Sequence, residues 1–117
     1  MSVWEWAGVR FIAIHHHDGA MFRSPGLYAF VRREASGERV LLYVDQAESV
    51  GQVARPGHPL WAEAVAAGLN ELHLCLCDGE KVDRLGLKGR IVRHIPPELG
   101  ESRSHLEASQ PLTMERR

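Results

Sequence analysis

Two apolar segments joined by a short turn restrict the fold of this chain more than any other feature. The segment GLYAFVRR (26–33) is rich in β-branched and aromatic residues, EASGE follows it, and RVLLYVD (39–45) has the same character. Such residues favour strands, and a glycine-containing turn between two such segments is typical of an antiparallel hairpin. The sequence therefore predicts a β-hairpin over residues 26–45.

The turn also predicts which side chains share a face of this hairpin. With the Ser-Gly pair as the two turn residues, Tyr28 lies opposite Asp45 and Phe30 lies opposite Tyr43. Directly opposed residues project from the same face of a sheet, so we expect the two tyrosines to be diagonal neighbours on one face. The other face is then apolar throughout, and its members are Leu27, Ala29, Val31, Val40, Leu42 and Val44.

Hydrophobic periodicity predicts further elements on both sides of the hairpin. VRFIAI (9–14) is interpreted as a short strand or an extended lead-in, and NELHLCLC (70–77) as a central strand because neither face is strongly polar. We predict helices at 46–55, 59–68 and 79–95. Glycines 86 and 89 leave a broken last helix open. The predicted fold class is α/β, with a small, mostly antiparallel three-stranded sheet flanked by helices in the order ββααβα.

Length and composition limit the organisation and the partners. The 117 residues suit one domain, which we place at 24–99, after an N-terminal extension (1–23) that packs on it and before a flexible tail (100–117). The 14 basic and 15 acidic residues give a net charge of −1, so binding to nucleic acid requires a local patch. We expect no membrane span, no signal peptide and a cytoplasmic location, with both thiols reduced.

Two motifs of the predicted hairpin resemble those of the GIY-YIG nuclease family. Gly-Leu-Tyr at 26–28 stands for the first motif and Tyr-Val-Asp at 43–45 for the second, and YVDQAESV resembles the longer run around the second motif. HPLWAEAVAAGLNELHLCLC and IVRHIPPEL also resemble stretches of small bacterial members. The similarity covers roughly residues 24–99, and it implies a hairpin followed by helices, a third strand and a last helix.

The resemblance implies metal-dependent hydrolysis of a phosphodiester. In the family one tyrosine helps to activate water, an arginine on the first helix neutralises the phosphate, and a glutamate on the last helix holds a divalent ion. The two phenols carry over to Tyr28 and Tyr43. The arginine position falls on Val53, with Arg55 two residues further on, and the glutamate position falls on Leu87.

These departures predict a domain that has kept the scaffold and lost the chemistry. Asp45 replaces the motif glycine and would repel a phosphate, valine cannot neutralise one, and leucine cannot hold a hard cation. The interpretation is a catalytically degenerate GIY-YIG-like domain, without a cofactor, whose cleft binds a protein or weakly binds nucleic acid. The alternative is an active DNA endonuclease with relocated groups, in which Arg55 or Arg33 holds the phosphate and Asp45 or Glu48 holds Mg²⁺ or Mn²⁺.

Basic side chains supply the remaining candidates for ligand contact. His58 lies near the place where some family members carry a histidine beside the phosphate, and Arg32 and Arg33 lie near the hairpin tip. Lys81, Arg84 and Lys88 recur at i, i+3 and i+7 on the last helix and form one cationic stripe.

A small-molecule or metal-binding module built on the sequence HHHD (15–18) is the third hypothesis. The residues His15–His17 precede Asp18, and adjacent histidines on extended backbone point to alternate sides, so at most two would cooperate. A solvated loop is the alternative. Cys75 and Cys77 share one face of the predicted strand with His73; we interpret them as small apolar core residues, with metal ligation as the alternative.

Overall fold

Five strands form one antiparallel sheet in the computed structural model, which describes residues 2–100 of the chain. In chain order they are β1 (Ser2–Trp6), β2 (Val9–His15), β3 (Gly26–Arg33), β4 (Arg39–Ala47) and β5 (Glu71–Leu76). They lie side by side as β1-β2-β5-β3-β4. The α/β class is confirmed, and β5 is central, as its two apolar faces predicted.

The sheet has five strands rather than three because the N-terminal residues extend it. Strands β1 and β2 form a second hairpin, and β2 pairs with β5. The first two strands therefore belong to the same sheet as the predicted hairpin. The flexible tail predicted at 100–117 lies outside the described residues from 101 onward.

The β3–β4 hairpin has the predicted register between its open end and its middle. Tyr28 pairs with Asp45, and Phe30 pairs with Tyr43. The two tyrosines therefore share a face of the sheet, as predicted, and their ring centroids lie 6.3 Å apart.

A β-bulge changes the register towards the hairpin tip. Beyond Phe30 the pairing shifts, so that Val31 pairs with Leu41 and Leu42 becomes the extra residue on β4. Leu42 and Val40 consequently pack on the face that carries the tyrosines, whereas Leu41 packs on the other face. The uninterrupted apolar face predicted from strict alternation is therefore wrong beyond the bulge.

Three helices follow the order that the periodicity predicted, and all three are shorter than their predicted ranges, the first two most clearly. They are α1 (Val50–Val53), α2 (Trp61–Ala66) and α3 (Lys81–His94). A Cβ atom at Gly51 would lie 2.5 Å from the Phe22 carbonyl oxygen, so glycine here permits α1 to approach that loop. Helix α3 is continuous, and a capping box between Glu80 and Asp83 stabilises its start. No helix within residues 2–100 is long and apolar enough to cross a bilayer.

Buried side chains form one cluster on each face of the sheet. On the face with the tyrosines, hereafter the tyrosine face, the helices and loops between β4 and β5 cover the strands. On the other, the tryptophan face, α3 covers them. The tyrosine face includes Tyr28, Phe30, Tyr43, Leu72 and Leu74 under Val50, Leu60 and Ala64. The tryptophan face includes Trp6, Phe11, Leu27, Val31 and Val44 under Ile91.

Candidate functional site

The two tyrosines are buried in the tyrosine face. Tyr28 is 1% exposed and Tyr43 is 0% exposed. Strands β3 and β4 place the rings, and His58, in the loop between α1 and α2, packs edge-on against both at centroid distances of 5.6 and 5.5 Å. The phenols are thus part of the core, not side chains displayed on the wall of an open cleft.

A chain of hydrogen bonds joins these side chains. The backbone N–H of Leu60 donates to Nδ1 of His58 at 3.0 Å. Nδ1 is therefore unprotonated, and Nε2 of the neutral imidazole carries the proton. This Nε2 lies 2.7 Å from the Tyr28 hydroxyl oxygen, to which it donates.

The chain continues from Tyr28 to a carboxylate. The Tyr43 hydroxyl donates to Oδ2 of Asp45 at 3.1 Å. Tyr28 and Tyr43 are also hydrogen-bonded to each other. The order His58, Tyr28, Tyr43, Asp45 is hereafter the phenol chain.

The phenol chain keeps Tyr28 in its protonated form. Burial raises the pKa of this phenol far above its usual value, and the negative charge of Asp45 raises it further. The hydrogen bond with Tyr43 opposes these effects only in part. A general base needs a pKa close to the working pH, so Tyr28 is poorly suited to take a proton from water near neutrality.

Lysine 88 neutralises the end of the phenol chain. Its Nζ atom lies 3.0 Å from Oδ1 of Asp45, and the backbone N–H of Gln46 donates to the same oxygen at 2.8 Å. The side chains of Lys88 and Asp45 are only 15% and 20% exposed. Helix α3 packs on the tryptophan face, so Lys88 passes the edge strand β4 to reach a carboxylate on the opposite face.

Arginine 84 makes a similar connection one turn earlier in α3. The residue is 2% exposed, and its guanidinium donates to the Gln46 side chain at 3.1 Å, to the Gly79 carbonyl at 2.6 Å and to the Glu48 carboxylate at 2.5 Å. The predicted cationic stripe is therefore not one exposed surface. Arg84 and Lys88 are engaged with β4 and its following turn, whereas Lys81 is exposed.

These contacts bear on whether a divalent ion fits beside the phenols. Asp45 and Glu48 are the nearby carboxylates, and each is paired with a cation of α3. Among residues 2–100, no three His, Cys, Asp or Glu side chains are grouped so that they could hold a metal. Leu87 stands at the position that the resemblance gives to the metal ligand. The described residues beside the phenols therefore do not fit Mg²⁺ or Mn²⁺.

Arginine 55 is exposed on the loop between α1 and α2, which also carries His58. A shallow pocket of about 260 Å³ is lined by Arg55, His58 and Gln52, together with neighbouring apolar residues. The Arg55 guanidinium forms no ion pair with a carboxylate of the described part of the chain, whereas His58 is only 8% exposed and ends the phenol chain. The structure thus brings Arg55 and His58 together beside the phenols.

The two arginines near the hairpin tip lie apart from this pocket. Arg32 donates to Glu34 at 2.7 Å and to Glu98 at 3.2 Å, and also to the Ala67 carbonyl at 2.8 Å. Arg33 lies 3.7 Å from Glu71 at the far end of β3. Neither arginine joins the phenol chain.

The histidine triplet forms a cluster. The chain turns after His15, so the three rings lie together with centroid distances of 3.9 to 5.3 Å, and His16 also packs near Trp61. The rings do not alternate as they would on extended backbone, because only His15 belongs to the strand. Within residues 2–100 the three are nevertheless not grouped so that they could hold a metal together. Burial and the neighbouring His17 lower the pKa of His16.

Sequence reasoning missed a second buried polar chain, on the tryptophan face. The indole N–H of Trp6 donates to Nδ1 of His73 at 3.0 Å, and Nε2 of His73 donates to Oε1 of Glu71 at 2.9 Å. Arg39 donates to the same carboxylate oxygen at 2.8 Å and stacks over Trp4. Histidine within an otherwise apolar strand was the available signal, but its partner Trp6 is 67 residues away in sequence.

Cysteines 75 and 77 are both free and half-buried. Cys75 packs against the tryptophan face, as expected of a small apolar residue. Burial and the adjacent Cys77 raise the pKa of its thiol to about 11.

Comparison of the whole chain with protein-family models, with curated proteins and with solved structures found no match.

Proposed function

We propose that the chain is a GIY-YIG-like domain without nuclease activity, which binds the phosphodiester backbone of nucleic acid weakly at Arg55. The observation that carries the proposal is the exposed Arg55 guanidinium beside His58 and the phenol chain. A guanidinium is suited to phosphate because it presents several donors in one plane.

The element order supports the family part of the proposal. From Gly26 to His94 the chain runs strand, strand, helix, helix, strand, helix, which is the order that the resemblance implies. The motif tyrosines lie on one face, 6.3 Å apart.

The contacts of the phenols support the absence of hydrolysis. Both rings are buried, Tyr28 is held protonated, and the Asp45 carboxylate already has an ammonium partner in Lys88. In-line attack on a phosphodiester requires an activated nucleophile and a cation near the leaving oxygen. The relocated endonuclease site would need Asp45 or Glu48 as a metal ligand, and Lys88 and Arg84 compete for those carboxylates.

Binding and cleavage are tested on the same samples. Fluorescence anisotropy with a labelled branched DNA follows binding at several salt concentrations, and supercoiled plasmid with Mg²⁺ or Mn²⁺ reports cleavage. We expect salt-sensitive binding with a Kd of about 10⁻⁴ to 10⁻⁶ M, which is typical of contact with phosphates alone. We expect no nicking of the plasmid.

Two neutralising variants distinguish the site from general charge. Arg55→Gln is expected to weaken binding several-fold. It should also reduce the slope of log affinity against log salt concentration by about one, because one fewer counterion is released on binding. Arg10→Gln removes the same charge from an arginine on β2 that is 75% exposed, and should leave binding nearly unchanged. Equal effects of both variants, or the absence of binding, would reject the Arg55 site. Plasmid cleavage that Tyr43→Phe abolishes would reject the claim of inactivity.

A further inference from the structure

A groove of about 600 Å³ lies at one end of the sheet, away from the tyrosines. The start of β1, the ends of β2 and β3, the start of β5 and the loop after β2 form its walls. Its volume is in the range of roughly 300–1,000 Å³ that is usual for small-molecule sites. Arg33 on its wall is five residues along β3 from Tyr28, about 16 Å at 3.3 Å per residue. No residue lines both this groove and the pocket at Arg55.

Apolar side chains form part of the groove. Ile14 and Phe22 are half-buried there, and Met21 contributes a side chain that is 76% exposed. Methionine is flexible and polarisable, so it adapts to the shape of an apolar ligand. An apolar group bound here would shield Met21 from water and gain hydrophobic contact.

The charges of the groove leave Arg33 weakly engaged. Glu71 already receives two hydrogen bonds from Arg39, at 2.8 and 3.3 Å, and lies 2.9 Å from Nε2 of His73. Arg33 lies 3.7 Å from this carboxylate, beyond hydrogen-bond distance, and its side chain is 54% exposed. The guanidinium can therefore turn towards a ligand without breaking a hydrogen bond to Glu71.

The other carboxylate of the groove does not neutralise Arg33. Asp18 forms no ion pair with Arg33 in the described part of the chain, and its charge acts on the neighbouring His16. The wall of the groove thus presents the Arg33 guanidinium, ion-paired with Glu71 at 3.7 Å but not hydrogen-bonded to it, next to apolar surface.

We propose that this groove binds a small apolar molecule that carries a carboxylate. The carboxylate pairs with Arg33, whose planar guanidinium accommodates two oxygens at once, and the hydrocarbon part lies on Ile14, Met21 and Phe22. This inference does not depend on the proposed function, because it concerns a different surface.

The test uses octanoate, with octanol and octylamine as probes of the same chain length and different charge. Titration of the isotope-labelled protein is followed by the NMR signals of the backbone amides. We expect octanoate to shift signals of the groove residues and to bind about tenfold more tightly than octanol, with octylamine weaker still. Arg33→Gln should reduce octanoate affinity to that of octanol, and Arg10→Gln should leave it unchanged.

A second variant separates the apolar contact from the charge. Met21→Ala alters an exposed side chain, so the fold should be retained, and it should weaken octanoate and octanol by the same factor. The proposal is overturned if octanol or octylamine binds as tightly as octanoate, or if none of the probes binds. Insensitivity of octanoate binding to Arg33→Gln, or shifts located outside the groove, would overturn it equally.

Discussion

The Nζ atom of Lys88 lies 3.0 Å from Oδ1 of Asp45, although α3 packs on the tryptophan face and Asp45 pairs with Tyr28 on the tyrosine face. Strand β4 is at the edge of the sheet, so a long side chain from α3 can pass it. The ammonium therefore occupies a carboxylate that the relocated endonuclease site would need as a metal ligand. This pair is the clearest physical support for the proposal that the domain does not hydrolyse phosphodiesters.

Replacing Lys88 by methionine is expected to destabilise the fold. The change keeps most of the aliphatic length but leaves the Asp45 carboxylate without its ammonium partner, at a cost of about 2 kcal/mol in the free energy of unfolding. Urea denaturation measures this change. Lys81→Met is the matched control because Lys81 is exposed at the start of the same helix, and it should have little effect. Equal stability of the two variants would show that the Lys88–Asp45 pair is not stabilising.

Removal of either phenol hydroxyl should destabilise the fold without disturbing the packing of the rings. Tyr43→Phe removes the donor to Asp45, and Tyr28→Phe removes the acceptor of the His58 Nε2–H. Each is expected to cost about 1–2 kcal/mol, because a buried polar partner is left unsatisfied.

The double variant shows whether the two hydroxyls act as one chain. The two single substitutions together are expected to lower the free energy of unfolding by about 2–4 kcal/mol. We expect the double variant to lose at least about 0.5 kcal/mol less than this sum, because both substitutions interrupt the same hydrogen bonds. Unfolding free energies of the four proteins in urea give this coupling. Strict additivity would mean that Tyr28 and Tyr43 are energetically independent.

Stability should decrease as the pH falls below about 6.5, in part because of His73. Burial lowers the pKa of His73 below its usual value of 6.5, and Glu71 only partly offsets this effect. The unfolded chain then binds more protons than the folded one between the two pKa values, so acid favours unfolding. His16, whose pKa is also lowered, contributes in the same direction.

A substitution isolates the contribution of His73 from that of the other histidines. His73→Gln keeps a polar group between Trp6 and Glu71 but does not titrate, so the stability difference from the wild type should shrink as the pH is lowered from 8 to about 5.5. Urea denaturation at each pH provides the measurement. A constant difference over this range would contradict the assignment of a lowered pKa to His73.

The Cys75 thiol should react slowly with disulfide reagents. Its pKa of about 11 lies about two units above the ordinary value of 9.0, so the thiolate fraction near pH 8 is about a hundredfold smaller than that of a free thiol. Peptide mapping of the labelled wild-type protein distinguishes Cys75 from Cys77, and the labelling rate of Cys75 is compared with that of a small thiol at the same pH. Reaction as fast as the small thiol would show that Cys75 is neither shielded nor perturbed.

Local sequence determined the hairpin and the class of the fold. Alternation was sufficient to place Tyr28 and Tyr43 on one face, but the predicted two-residue turn at Ser36 and Gly37 is wrong, because Arg33 pairs with Arg39. The predicted pairing of Tyr28 with Asp45 holds because the extra residue of the bulge offsets the longer turn. Alternation could not reveal the bulge at Leu42, because an extra residue in a uniformly apolar strand leaves no mark in the pattern. Nor did it indicate that β1 extends the sheet, since that strand is short and mostly exposed.

Tertiary structure decided the state of the candidate site. The spacing of Lys81, Arg84 and Lys88 in sequence places them on one stripe of α3, because that depends on the helix alone. Which partners they contact depends on how close α3 packs to the edge strand β4. Arg84 and Lys88 reach carboxylates that lie 36 and 43 residues earlier in the chain. Likewise, Tyr28 meets His58 only because a loop folds over the sheet. Backbone preference and turn geometry act between neighbours in sequence, whereas the burial and pairing of charged groups depend on the packing of distant segments.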